Sequence, residues 1–265
     1  MQKKESHRPS KFNRAVKISL DKDYLNAVNN RANKKPQVNA NTYKTATSAG
    51  RRIRDIVTTS RGGSISQELA EELWTDLLKD ALELLSGDLC RFGEIDQNEE
   101  SSNLPSLCSH ILGRSQDELE GRIKPSGALR KNKALIYFDG WMLMVIVAVA
   151  HRIKKNLRGP KGALGIAQKI VNLTIKDRWA LGHVNKQLEK VLHIPLDGRS
   201  LSHITPKQLA ASAWKSWSLV ALNKTSCSDY LLIQFSFRIF YNRMAIFQST
   251  MDLDQVWWET MPFRK

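Results

Sequence analysis

Between Ser64 and Ser86 the large apolar residues return every three or four positions. Leu69, Leu73, Trp74, Leu77, Leu78, Ala81, Leu82 and Leu85 share one side of a helical projection, and Glu68, Glu71, Glu72, Asp76 and Asp80 take the other. Ser64 and Gln67 have the spacing of a capping box, the acids suit the positive N-terminal end, and Gly87 stands where a helix would stop. This is an amphipathic helix, and its apolar side must be buried against another element.

Later segments repeat the theme with more ambiguity. Residues 133–158 contain Asp139-Gly140 between two apolar runs, a hairpin signal. Yet Leu135, Phe138, Met142, Val145, Ile146, Val149 and Ile153 also fit one helical face. Asp139 as a cap, Lys154 and Lys155 near the far end and Gly159-Pro160 beyond it favour helix. Gly162 to Gly182 is predicted to form the next helix, with Ala163, Ile166, Ala167, Ile170, Leu173 and Thr174 as its apolar stripe. Thr205-Pro206-Lys207-Gln208 reads as a helix start, with the helix running to about Leu222. Trp214 and Trp217, which it carries, are expected in the core. Residues 229–247 alternate like a strand but lie among helices, so helix is favoured. The tail from Met251 carries Trp257 and Trp258 and is expected to dock, since two free indoles would leave an exposed apolar patch.

Charge divides the chain in three. Residues 1–61 hold 15 basic and 4 acidic side chains, residues 62–121 hold 3 and 14, and residues 122–265 hold 23 and 8. The formal net charge of +15 points to a polyanionic partner. The acidic middle reads chiefly as a solvated helix face, with pairing to a basic surface as the other option. The first segment is rich in Asn and poor in large apolar groups. Residues 1–61 are therefore assigned to a basic, partly disordered N-terminal arm, with residues 1–13 and 32–42 extended and short helices near 14–31 and 43–60. Residues 62–265 are assigned to a mainly α, multi-helix globular body, acidic over 62–121 and basic over 122–265. The main break falls at Lys124-Pro125-Ser126-Gly127, with an exposed acidic loop near Glu94 to Asn103 before it.

Several classes drop out. Three cysteines far apart, Cys90, Cys108 and Cys227, do not make a disulfide scaffold and suit a reducing, cytoplasmic setting. The longest apolar stretch, Trp141 to Ala150, is too short to cross a bilayer, and the N-terminus shows no secretory pattern, so no membrane partner is expected. The six histidines form no HExxH, no CxxC exists, and neither a Walker A sequence, a GxGxxG nor a GxSxG occurs. No metal and no cofactor is called for.

What remains is a cationic surface. Lys169, Asn172 and Lys176 stand at i, i+3 and i+7 of the predicted helix, stacking two cations and an amide, and Arg178 follows. Together with Arg51, Arg52 and Arg54 as a mobile clamp, these are the candidate nucleic-acid-binding residues, gripping phosphates of DNA or RNA with little sequence preference. The ordinary alternative for each is a solvated helix face. Enzymatic activity is left open, with binding favoured.

Two resemblances add to this. Arg178-Trp179-Ala180-Leu181-Gly182-His183 is Arg-x4-His and resembles the short motif of HEPN-type ribonucleases. That resemblance implies an all-helical dimer in which Arg178 holds the scissile phosphate and His183 moves a proton, a metal-independent endoribonuclease. Gly182 would end the helix before His183, and Trp179 stands where that family usually has a polar residue. The second pattern, Ala167-Gln168-Lys169 with Asn172 and Lys176, then His193-Ile194-Pro195-Leu196-Asp197, resembles small bacterial and phage helical proteins with no assigned activity, over roughly residues 160–260. It implies that Lys169, Asn172, Lys176 and Asp197 belong to one feature. Asp197 by itself reads as a turn or helix cap. A third class is a protein–protein adaptor in a larger nucleoprotein assembly, with a protein partner or a second copy of the chain.

Overall fold

The computed structural model describes residues 35–60, 63–89, 133–157, 162–202, 212–243 and 247–260. Among them the regular structure is helical and no strand occurs. Helix α1 spans Ala46–Thr59, and α2, Gln67–Leu73, runs through a π turn at Trp74–Leu78 into α3, Lys79–Glu83, and a 3-10 turn at Leu84–Ser86. The long helices α4, Lys133–Ile153, and α5, Ala163–Ala180, follow. Short α6, Lys186–Glu189, and α7, Gly198–Ser202, lead to a 3-10 segment at Ala213–Leu219. Helices α8, Lys224–Arg243, and α9, Thr250–Thr260, complete the fold. No described helix is long and apolar enough to cross a membrane.

The amphipathic segment behaves as its pattern predicts. Leu73, Trp74, Leu78, Leu82 and Leu85 are buried, while Glu68, Glu72, Asp76 and Asp80 face solvent. The cap is Ser66, whose side chain accepts from Leu69 N–H, rather than Ser64. The acidic face is largely a solvated one, with a long surface bridge from Arg152 to Asp76 at 3.5 Å.

Helix α1 departs from the expected arm. Ala49, Ile53, Ile56 and Val57 are 0–1% exposed and join the core between α2 and α5. Three- and four-residue spacing of small and β-branched groups gives α1 a narrow apolar face, easily overlooked among so many cations. The helix expected near 43–60 forms, but it belongs to the body, and the boundary at residues 61/62 does not separate arm from domain. The segments expected to be extended at 1–13 and helical at 14–31, the acidic loop near 94–103, the turn at Lys124 and the helix start at Thr205 lie outside the described residues.

Helix α5 is the axis of the molecule. Of its 18 residues 15 are buried, including six polar ones. Its entry is fixed by contact with the backbone of the 3-10 segment. A Cβ on Gly165 would stand 1.8 Å from Trp217 O, and one on Gly162 would stand 2.4 Å from Ser218 O. Leu164 and Gly165 N–H groups donate to Val220 O at 3.2 and 3.4 Å. This docking explains why the predicted helix through Leu222 does not form there. The chain kinks at Ser216 and leaves in an extended conformation at Val220, so that its carbonyls serve α5. At the far end Gly182, with φ of +78°, closes the helix in a left-handed conformation, and His183 N–H donates to Arg178 O at 2.9 Å.

Beside α5 runs an extended, fully buried stretch, Leu192 to Asp197. A buried extended backbone has polar groups that a sheet would normally satisfy. Here two glutamines do so. Gln168 accepts from Leu196 N–H at 3.0 Å and donates to Leu196 O at 2.8 Å. Gln234 of α8 accepts from Ile194 N–H at 3.0 Å and donates to Ile194 O at 2.8 Å. Asn172 adds a donation to Ile194 O at 3.3 Å.

Candidate functional site

Spacing along α5 predicts an outward polar stripe, and the structure turns it inward. Lys169 is 5% and Lys176 7% exposed. Lys169 Nζ donates to Asp197 Oδ2 at 2.7 Å, and Lys176 Nζ donates to Asp254 Oδ2 at 2.6 Å. Asn172 is fully buried and donates to Gln168, to Ile194 O and to Tyr230 Oη at 3.0 Å. None of the three is open to a phosphate chain. The helical spacing is as expected, but each cation meets a carboxylate from a distant part of the chain, which spacing within α5 cannot reveal. The grouping of Lys169 with Asp197 does hold. Asp197 is also the predicted cap, its Oδ1 accepting from Arg199 and Ser200 N–H at 2.9 and 3.1 Å.

Asp254 and Trp258 stand one turn apart on α9, and both lie on the Lys176–Lys169 side of α5. Because Asp254 meets Lys176 and Trp258 lies by Lys169, α9 runs antiparallel to α5. Lys169 Nζ is 5.2 Å from the Trp217 ring centroid and 5.5 Å from that of Trp258. Of the docking tryptophans, Trp257 is fully buried and Trp258 is 37% exposed. Trp214 is core, while Trp217 is half-buried.

A second buried network was invisible in the sequence. Arg238 of α8 grips Asp139 of α4 with two nitrogens, Nη1 at 2.8 Å and Nη2 at 2.5 Å, and also donates to Val191 O. Burial opposes ionisation of Asp139, but Arg238 and then His193 outweigh it and bring the carboxyl down to about 2. His193 Nε2 lies 2.8 Å from Asp139 Oδ1, and Nδ1 lies 2.9 Å from Tyr230 Oη. Burial pushes His193 below its ordinary value despite Asp139. A neutral ring donating from Nε2 to the ionised carboxylate then accepts the Tyr230 hydroxyl proton at Nδ1, and the hydroxyl oxygen accepts from Asn172. Asp139 is thus a mid-helix ion-pair partner and not the cap the sequence suggested. Its partners lie 54 and 99 residues away, so only tertiary structure assembles them.

The arginines remain. Arg52 Nε and Nη2 donate to Asp177 Oδ2 and Oδ1 at 2.8 and 3.2 Å, and Tyr43 Oη donates to the same carboxylate at 2.6 Å. Burial opposes the Arg52 charge, but Asp177 raises its affinity for the proton above the ordinary value. Arg52 is therefore an anchor, not part of a mobile clamp. Arg51 and Arg54 stand on the exposed side of α1, in a stripe with Thr47 and Thr58. Arg54 donates to Ile65 O and Gln67, and no carboxylate pairs with either arginine among the described residues. Arg178, the next residue after Asp177, is half-buried. Its Nε has no partner, and burial lowers its proton affinity. His183 is exposed beyond the Gly182 turn.

Among the described residues no group of three or more His, Cys, Asp or Glu could hold a metal ion. No family model, curated protein or solved structure matches the chain.

Proposed function

We propose that this chain binds nucleic acid through the phosphate backbone, with low sequence preference. The observation that carries the reading is the Arg52–Asp177 contact. It fixes α1 against the end of α5 that bears Arg178, while Arg51 and Arg54 stay on the outer side of α1. Arg51, Arg54 and Arg178 make no ion pair among the described residues, with Glu68 and Glu83 acting on Arg54 and Arg178 only at longer range. The strongly basic sequence before α1 adds to these arginines, with 9 Lys and Arg against 3 acids over residues 1–34. Guanidinium forks match phosphate oxygens, and each lost contact should lower the salt dependence by about one counterion.

The test is fluorescence anisotropy of labelled DNA and RNA, single-stranded and duplex, across a salt series. Arg51→Ala with Arg54→Ala should lower the slope of log K against log salt by about two, and adding Arg178→Ala by about one more. Absence of wild-type binding at low salt, or a slope unmoved by all three changes, overturns the reading. Incubating RNA with the protein in EDTA adds a further outcome. Cleavage by wild type and not by His183→Ala would replace binding with the endoribonuclease chemistry that Arg178 and His183 resemble.

A further inference from the structure

Two large apolar side chains stand out of the described surface, Leu219 at 65% and Trp258 at 37% exposure. Trp258 is the one with an aromatic neighbour. Trp217, two residues before Leu219, and Trp258 border the same Lys169 ammonium. Over the Trp258 ring lies the Arg199 guanidinium, 4.0 Å from the centroid, held there by donation from Nη1 to Trp258 O at 2.6 Å. Trp258 is in turn placed by α9, whose Asp254 is tied to Lys176 one turn earlier. The patch is thus a planar cation placed over an indole, set on α7 and α9.

We infer that Arg199 and Trp258, with Trp217 beside them, form a stacking platform for unpaired bases of a single-stranded nucleic acid, an assignment that rests on the binding reading above. Planar cations and indoles accept any base face, because every base offers a π surface. Lys169 cannot serve as a phosphate contact here, since Asp197 already holds it, so what the patch offers is flat apolar surface beside positive charge. A nucleotide supplies the complement of both. A second copy of a chain with a net charge of +15 would bring like charge to the patch.

The experiment compares three probes of equal length: a single strand, the same strand with abasic sites, and a duplex. Trp258→Leu keeps an apolar side chain and removes the flat ring. It should weaken single-strand binding about 5- to 150-fold and leave the abasic strand and the duplex as in wild type. Trp258→Phe should restore most of the loss, and Arg199→Gln should give a smaller loss confined to the single strand. Arg51→Ala with Arg54→Ala should weaken all three probes together. Single-strand affinity unchanged in Trp258→Leu, or reduced equally for the abasic strand, overturns the platform while the phosphate reading stands. Wild type that binds no probe overturns both. Light scattering without nucleic acid provides one more arm: a doubled mass in wild type that Trp258→Leu abolishes makes the patch a contact between copies and overturns the inference.

Discussion

Lys176 of α5 and Asp254 of α9 meet at 2.6 Å with side chains 9% and 1% exposed. Burial raises the Asp254 carboxyl above its ordinary value, Lys176 draws it back, and its Oδ1 has no partner. An interior pair of this kind is costly to break and cheap to replace as a unit. Lys176→Met should therefore destabilise the fold by about 3–5 kcal/mol in urea unfolding, because a lone buried carboxyl remains. Combining it with Asp254→Leu should recover most of that loss. A double variant as unstable as the single one would show that the pair is not an isolated unit.

The extended stretch beside α5 has a sheet's hydrogen-bonding needs without a sheet. Gln168→Leu keeps the side-chain size but leaves Leu196 N–H and C=O without their amide partner. Each buried orphan costs about 1–3 kcal/mol, so the expected loss is about 2–6 kcal/mol. Gln234→Leu should cost about 1–3 kcal/mol, since Asn172 still donates to Ile194 O and only Ile194 N–H is orphaned. Hydrogen exchange at Leu196 and Ile194 amides, faster in the respective variant, would locate the effect.

His193 sets a pH dependence whose sign follows from its direction. Burial lowers its pKa below the ordinary 6.5. The unfolded chain therefore binds a proton as pH falls through about 6.5 while the folded chain does not, and stability drops toward acid by up to about 1.4 kcal/mol per pH unit. Asp139, brought down to about 2 from 3.8, adds a further loss as pH falls through that window. Asp252 and Asp254, both raised by burial above the ordinary 3.8, act in the opposite sense from that value upward, so the His193 effect is read between pH 7 and 5 as the difference from a variant. His193→Gln should flatten the dependence of unfolding free energy on pH in that range, whereas an unchanged slope would assign it to another group.

The helical elements were legible wherever apolar spacing and end signals agreed, as in α2, α4 and α5. Residue type alone did not tell which polar residues face water. Lys169 and Lys176 share a helical face as any solvated stripe would, and what buries them is Asp197 and Asp254, 28 and 78 residues on. Arg51, Arg52 and Arg54 are close along the chain, but the 100° step per residue turns Arg52 to Asp177 and leaves Arg51 and Arg54 exposed. The sequence offered one usable hint. Gln168, Asn172 and Gln234 are amides among apolar residues of helices, which is where a buried chain segment without a sheet finds its partners.

Glycine in a helix is normally a weakness, worth about 1 kcal/mol against alanine. At Gly165 the preference should reverse, because a Cβ there would stand 1.8 Å from Trp217 O, a backbone atom. Gly165→Ala should cost about 1–3 kcal/mol through displacement of the 3-10 segment. At Gly198 nothing lies within 4 Å of the added carbon, so Gly198→Ala should be neutral or stabilising by up to about 1 kcal/mol. Thermal melts of the two variants moving in the same direction would contradict the close approach.

Arg51, Arg52 and Arg54 should separate cleanly in their effects although they occupy one turn of α1. Arg52 makes two hydrogen bonds to Asp177, and Tyr43 shares that carboxylate. Charged hydrogen bonds of this kind are worth about 1.5–3 kcal/mol, discounted because the Arg52 side chain is 37% exposed. Arg52→Gln should therefore lower stability by about 1–2 kcal/mol and loosen α1. Arg51→Ala loses no ion pair among the described residues and should shift stability by no more than about 0.5 kcal/mol, and Arg54→Ala, which also gives up its hydrogen bonds to Ile65 O and Gln67, by about 0.5–1 kcal/mol. For binding the order reverses, with the salt slope falling by about two in the Arg51, Arg54 double variant and little in Arg52→Gln. Measuring unfolding and salt-dependent anisotropy on the same preparations checks both halves. An Arg52→Gln protein of native stability would remove the anchor on which the placement of the other two depends.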